Sequence, residues 1–187
     1  DATTMSPEGF RSRKGSPARA GAVLRKLHSS GGVFPFRFEL FAMIDDYLKV
    51  LATKDVDLPE GYHAVVREAQ AIRAALAAKP AALVPCHCDP LCENFIDDGT
   101  RMWVVDWEYS GMNDPMWDLG DLSVEGAFDE AQDMEMLRAY FGGAPTAADH
   151  GRMMIYKAMC DLLWTLWGLI QHANNNPADD FAAYALN

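Results

Sequence analysis

Polar and apolar positions follow helical spacing over most of this chain. In residues 39–51, Leu40, Met43, Ile44, Tyr47, Leu48 and Leu51 recur at intervals of three and four. In residues 60–79, Val65, Ala69, Ile72 and Leu76 do the same. That period marks amphipathic helices. Upstream, Ser16 as cap with Pro17 behind it opens a helix that stops near His28, ahead of Ser29, Ser30, Gly31 and Gly32. Its expected apolar face is Ala22, Val23, Leu24 and Leu27. His28 at its end is read as a contact with the helix dipole. Downstream, Asp114 caps a helix from Pro115 that carries Trp117, Leu119, Leu122 and Val124. Residues 109–113 before it read as a loop. A further helix at 129–141 is closed by Gly142 and Gly143, and the longest covers 146–173. Residues 1–15, polar and basic in their second half, read as a hinge or linker, and 16–187 as one helical domain.

One stretch breaks the helical period. Residues 84–108 read VPCHCDPLCENFIDDGTRMWVVDWE. Leu83 and Val84 end a strand, 85–93 is a loop broken by Pro and Cys, and 94–96 is extended. Residues 97–100 form a turn with the Asp-Gly hairpin signal, and 102–105 return as a strand that delivers Asp106. The hairpin brings Asn94 and Asp106 together. The fold class is therefore mainly α with a small β-hairpin at a catalytic loop spanning 84–109. Within the loop His87, Asp89 and Asn94 read H-x-D-x-x-x-x-N. An Asp, an Asn and a second Asp so placed make a compact set of oxygen ligands and one base. Phosphoryl transfer on a kinase-like scaffold uses that set: one Asp takes the hydroxyl proton, and the others hold magnesium on the phosphates. Magnesium is a hard ion that takes oxygen ligands and keeps several waters, so few side chains suffice.

Composition narrows the picture. Half of the 187 residues are hydrophobic, which marks a globular chain. A net charge of −11 argues against nucleic-acid and anionic-membrane partners. Neither a signal peptide nor an uncharged apolar run of membrane-spanning length stands out, and 162–170 reads as a buried helix face. The expected location is the cytoplasm. Cys86, Cys88 and Cys92 crowd around His87, but a structural zinc site takes a second ligand pair that is missing here. Buried thiols in a reducing compartment account for them. No glycine-rich phosphate loop and no V-A-x-K strand precede the catalytic loop. The expectation is a C-terminal portion, with an N-terminal ATP-covering lobe absent.

HCDPLCENFI followed by VVDWEYSGMNDPMWDLGDL resembles the choline kinase group of the aminoglycoside-phosphotransferase-like kinases, and the resemblance runs from about Met5 onward. It implies a protein-kinase-like C-lobe. It implies Asp89 as base, Asn94 and Asp106 as magnesium ligands, Glu108 assisting a second ion, and His87 and Asp118 supporting the catalytic loop. It places Glu125 near the cationic head of a substrate, where a solvated helix glutamate is the plain alternative. Asp121 reads as a capping or surface residue. Trp164 and Trp167 are three apart and share a helix face, which is usually core packing. A quaternary ammonium, however, donates no hydrogen bond and is held by aromatic faces and a carboxylate. LWTLWGLIQ is similar to the helix that supplies the family's choline box, and Tyr184 falls where the family places another cage ring. The implied reaction is phosphorylation of a small amino alcohol by ATP with Mg2+, with choline as the substrate. Ethanolamine, thiamine or aminoglycoside kinases, and a non-catalytic lobe that binds a quaternary amine, are the alternatives.

Overall fold

The computed structural model describes residues 2–185. It is mainly helical, with two small sheets, and divides into two compact units. The first holds the residues up to Phe38 together with Ala81–Lys157; the second holds Glu39–Pro80 and the chain from Ala158 onward.

In the first unit, β1 (Thr3–Thr4) pairs antiparallel with β3 (Phe95–Asp97), and β3 pairs antiparallel with β4 (Met102–Val104). The segment read as a hinge thus holds β1 and a short helix, α1 (Pro7–Ser12). Ser6 caps α1, its Oγ accepting from the Gly9 amide at 3.0 Å. Phe10 on α1 is buried and meets Phe95 edge-on, with centroids 5.9 Å apart. This aromatic contact ties the chain's beginning to the hairpin.

Helix α2 (Ser16–His28) buries Pro17, Ala20, Gly21, Leu24 and His28. The expected face is Ala22, Val23, Leu24 and Leu27, yet Ala22 is exposed and Val23 and Leu27 are only half-buried. The reason is a close helix crossing. A Cβ at Gly21 would stand 2.3 Å from the Met136 carbonyl oxygen of α6 (Glu130–Phe141). The backbones approach where the side chains are smallest, and the bulkier residues turn aside.

The loop that carries Asp89 begins after β2 (Val84–Cys86), which pairs antiparallel with β5 (Gly111–Asn113). The expected loop at 109–113 is therefore partly a strand. Met112 donates its amide to the Phe36 carbonyl at 2.8 Å and accepts from the Phe38 amide at 3.2 Å. Pairing on both edges makes the strand; nothing in its own side chains does.

Helix α5 (Pro115–Glu125) starts at Asp114, whose side chain accepts from the Met116 amide at 3.0 Å. Trp117, Leu119 and Leu122 are fully buried, and so is Asp118. Asp121 is 1% exposed, against the expected capping or surface role. It follows Asp118 by three residues on a helix closed in on nearly every side. Helix α6 opens with a reciprocal cap between Asp129 and Gln132 and ends at Gly142 in the left-handed region, φ 70°.

The second unit contains α3 (Leu40–Leu51), α4 (Tyr62–Ala78), the later part of α7 (Ala147–Ala173) and α8 (Phe181–Tyr184). Leu40, Ile44 and Leu51 are buried on α3, and Ala69 and Leu76 on α4. Val65, expected on the same face, is 45% exposed. Helix α7 is 27 residues long, and its most apolar window has a mean hydropathy of 1.3, enough by length and composition to cross a membrane. More than half of that window is buried in protein, as in a core helix.

Candidate active site

The loop after β2 is gripped from several directions. The Asp118 carboxylate, itself wholly buried, accepts the His87 amide at 2.7 Å on Oδ2 and the Cys88 amide at 2.9 Å on Oδ1. Trp117 Nε1 donates to the Cys88 carbonyl at 3.0 Å. Ser110 Oγ donates to the His87 carbonyl at 3.3 Å. Both peptides around Cys88 are thereby fixed. Cys88 has φ of 70°, a left-handed conformation unusual for a residue with a Cβ. Such a conformation costs about 1–3 kcal/mol and persists where its surroundings over-determine it. Asp89 is the next residue.

The His87 ring acts on the other side of the loop. Its Nε2 lies 2.9 Å from the Val105 carbonyl oxygen. A carbonyl only accepts, so Nε2 carries a hydrogen. The other ring nitrogen, Nδ1, is buried and has no hydrogen-bond partner among the described residues. The ring also faces Trp107, with centroids 5.1 Å apart.

Strand register assembles the remaining groups. Phe95 pairs with Val104, and the Val105 amide extends the ladder to the Asn94 carbonyl at 3.0 Å. Asn94 and Asp106 thus meet at one end of the hairpin. Asn94 is buried, and its Nδ2 donates to the Asp89 carbonyl at 2.9 Å, which leaves Oδ1 as the accepting end of the amide. Asp106 leaves the strand exposed, with φ of 65°, and Glu108 is exposed two residues on. Asn94, Asp106 and Glu108 each carry the hard oxygen type of donor.

Electrostatics separate Asp89 from its acidic neighbours. Burial pushes its carboxyl above the ordinary carboxylate range; His87 opposes the shift, and the charges of Asp106 and Glu108 add to it. A carboxylate with raised proton affinity is the better proton acceptor. The cysteines shift in the same direction. All four are buried and none is in a disulfide. Burial, reinforced by nearby carboxylates, pushes the Cys86 and Cys88 thiols far up and Cys92 to about 12. A protonated thiol is a poor metal ligand.

The second unit holds an aromatic cluster. Trp164 and Trp167 stand perpendicular with centroids 6.3 Å apart. Trp167 also meets Phe181 at 5.3 Å and Tyr184 at 5.8 Å. Both indoles are half-buried and Tyr184 is 39% exposed. Phe181 is not anticipated from the sequence. Glu125 is half-buried at the end of α5 and belongs to the first unit.

Sequence reasoning also misses His28 and Tyr140. His28, expected only as a contact with the helix dipole, is buried, with Nε2 3.0 Å from Asp118 Oδ2 and Nδ1 2.8 Å from the Tyr140 hydroxyl. The signal is present: His28 follows Ala20 and Leu24 at four-residue spacing, on the stripe that α2 buries.

The chain is 26% identical over 175 residues to Protein LicA of Haemophilus influenzae, covering 88% of this chain and 64% of LicA. A crystal structure of a choline/ethanolamine kinase family protein from Mesorhizobium loti superposes with a TM-score of 0.97 at 74% identity, covering 98% of this chain and 63% of that one. Choline kinase LicA from Streptococcus pneumoniae superposes with a TM-score of 0.79 at 26% identity, covering 100% of this chain and 65% of that one. The chain therefore spans less than two thirds of each of these relatives. A family model described as the phosphotransferase enzyme family matches residues 3–156, which is most of the chain, and the chain belongs to that family.

Proposed function

We propose that these residues form the catalytic lobe of a kinase that transfers the terminal phosphoryl group of ATP to the hydroxyl of a small amino alcohol, choline above others. The observation that carries this reading is the hairpin register, which brings Asn94 and Asp106 to the loop end bearing Asp89. Asp89 orients the hydroxyl and takes its proton. Asn94 and Asp106, with Glu108, offer the oxygen donors that suit magnesium. When bound, the ion neutralises charge on the phosphates. His87 and Asp118 hold the loop through their contacts to Val105 and to two loop amides.

Trp164, Trp167 and Tyr184 hold the cationic head by cation–π attraction. What supports this is the clustering of the rings. The likeness to a choline/ethanolamine kinase family protein and to a choline kinase points the same way. Ethanolamine is the second reading; a primary ammonium asks for more hydrogen-bond acceptors and fewer rings. We place the ATP-covering lobe outside these 187 residues. The lack of a glycine-rich phosphate loop and the partial coverage of relatives support that. The acidic charge and the buried apolar helix fit a cytoplasmic enzyme.

Calorimetric titration with choline and with ethanolamine tests the substrate, and transfer of labelled phosphate from Mg-ATP by the complete kinase tests the reaction. Choline is expected to bind in preference, with the preference lost in Trp164→Ala. Transfer to neither alcohol by the complete kinase overturns the reading.

A further inference from the structure

We propose that His28 is a positioning residue for Asp89, acting through Asp118; the proposal rests on the reading of Asp89 as the base. The geometry is a hydrogen-bond chain across α2, α5, α6 and the catalytic loop. Asp118 Oδ2 only accepts, so His28 Nε2, at 3.0 Å, carries the hydrogen that it donates. The other ring nitrogen, Nδ1, is hydrogen-bonded with the Tyr140 hydroxyl at 2.8 Å. Burial pushes the Tyr140 phenol well above its ordinary range, so it remains a donor.

Asp118 is the shared point of that chain and of the loop. Its fully buried carboxylate has the His87 and Cys88 amides and the His28 ring as donors. The amides come from the loop being positioned, whereas His28 and Tyr140 come from separate helices and supply the fixed frame. Cys88 sits in left-handed backbone immediately before Asp89 and depends on that frame. Loss of His28 leaves Oδ2 with one donor and frees the carboxylate to turn. Cys86 Sγ also lies within 4.8 Å of the His28 and Asp118 ligand atoms. Its thiol donates to the Asn113 carbonyl at 3.6 Å, beside the chain and outside its hydrogen bonds.

Backbone amide exchange of the chain without nucleotide or alcohol tests the proposal. In His28→Ala the His87 and Cys88 amides are expected to exchange roughly ten- to a hundredfold faster, the scale of one lost hydrogen bond to a charged group. Amides in α4 and in β3 and β4 are expected to stay within about twofold, as opening there is a separate local event. His28→Gln, which keeps an N–H near the Nε2 position, is expected to restore protection. Tyr140→Phe removes one oxygen and is expected to shift the same two amides in the same direction, and it stands in if His28→Ala does not fold. In the complete kinase, His28→Ala lowers kcat with the KM for the alcohol held, and His28→Gln recovers kcat. Unchanged protection of His87 and Cys88 overturns the proposal. So does faster exchange spread evenly through the molecule, or local loosening with unchanged kcat. The exchange result stands even if the substrate is another alcohol, so a wrong substrate and a wrong role for His28 are told apart.

Discussion

His87 Nε2 donates to the Val105 carbonyl at 2.9 Å, joining the segment two residues before Asp89 to the residue just before Asp106. One side chain thus sets the spacing of the two acidic groups. His87→Ala leaves the Val105 carbonyl without this donor and is expected to cost about 1–3 kcal/mol. A urea midpoint shift with unchanged slope is the measurement. An unchanged midpoint would show that the bond contributes nothing in solution.

Asp89 carries a stability signature of its own. Its folded-state carboxyl binds protons more tightly than the unfolded one, chiefly through burial. The folded state then holds the extra proton, and stability falls as pH rises from about 4 through the raised folded value. Asp89→Asn removes that loss. Without metal or nucleotide, the variant is expected to melt above the parent at pH 7, with the difference vanishing below about pH 4. Phosphoryl transfer is expected to drop by about 10²–10⁴-fold, the usual contribution of a positioned base. A variant melting below the parent at pH 7 would place Asp89 in a stabilising contact instead.

Asp97 shows the opposite sign. Burial alone would raise its carboxyl, but Arg19 donates to both oxygens at 2.8 and 2.6 Å, and the Gly99 amide and Arg13 add to this, so the net shift is downward. Its contribution is present above the unfolded value of about 4 and is lost as pH falls through the lowered folded value. Asp97→Asn leaves Arg19 half-paired and is expected to cost about 3 kcal/mol at pH 7. The gap should narrow in acid. Thermal melts at pH 7 and pH 3 decide it, and a gap equal at both would exclude an ionic origin.

Gly21 faces the Met136 carbonyl so closely that an added Cβ would stand 2.3 Å from it. Gly21→Ala must push α2 off α6 and is expected to cost about 1–3 kcal/mol, the scale of overpacking. Gly143, where an added methyl would meet nothing within 4 Å, is the control. Gly143→Ala is expected to leave the denaturation midpoint near that of the parent.

The helices are legible because their burial follows a period that large apolar residues reveal, as on α3. The loop is legible because Asp89, Asn94 and Asp106 sit at a spacing that a hairpin can close. The face of α2 is not, since Ala20 and Gly21 are buried for being small. β5 is hidden because its partners are the distant 84–86 and 36–38 segments. His28 reads as a helix-dipole contact and Asp121 as a capping or surface group because polar residues are usually exposed, yet both are buried. Pairing with Asp118 and Tyr140 makes the burial of His28 tolerable, and such pairing is a three-dimensional fact.

The buried thiols turn the catalytic loop into its own clock. Cys88 immediately precedes Asp89 and Cys92 follows it closely, whereas Cys160 lies in the midst of α7. An alkylating reagent attacks thiolates, so a buried and protonated sulfur is modified only when its surroundings open. Labelling of Cys88 and Cys92 ahead of Cys160 would time the loosening of the loop alone. Simultaneous labelling would time the loss of the whole fold.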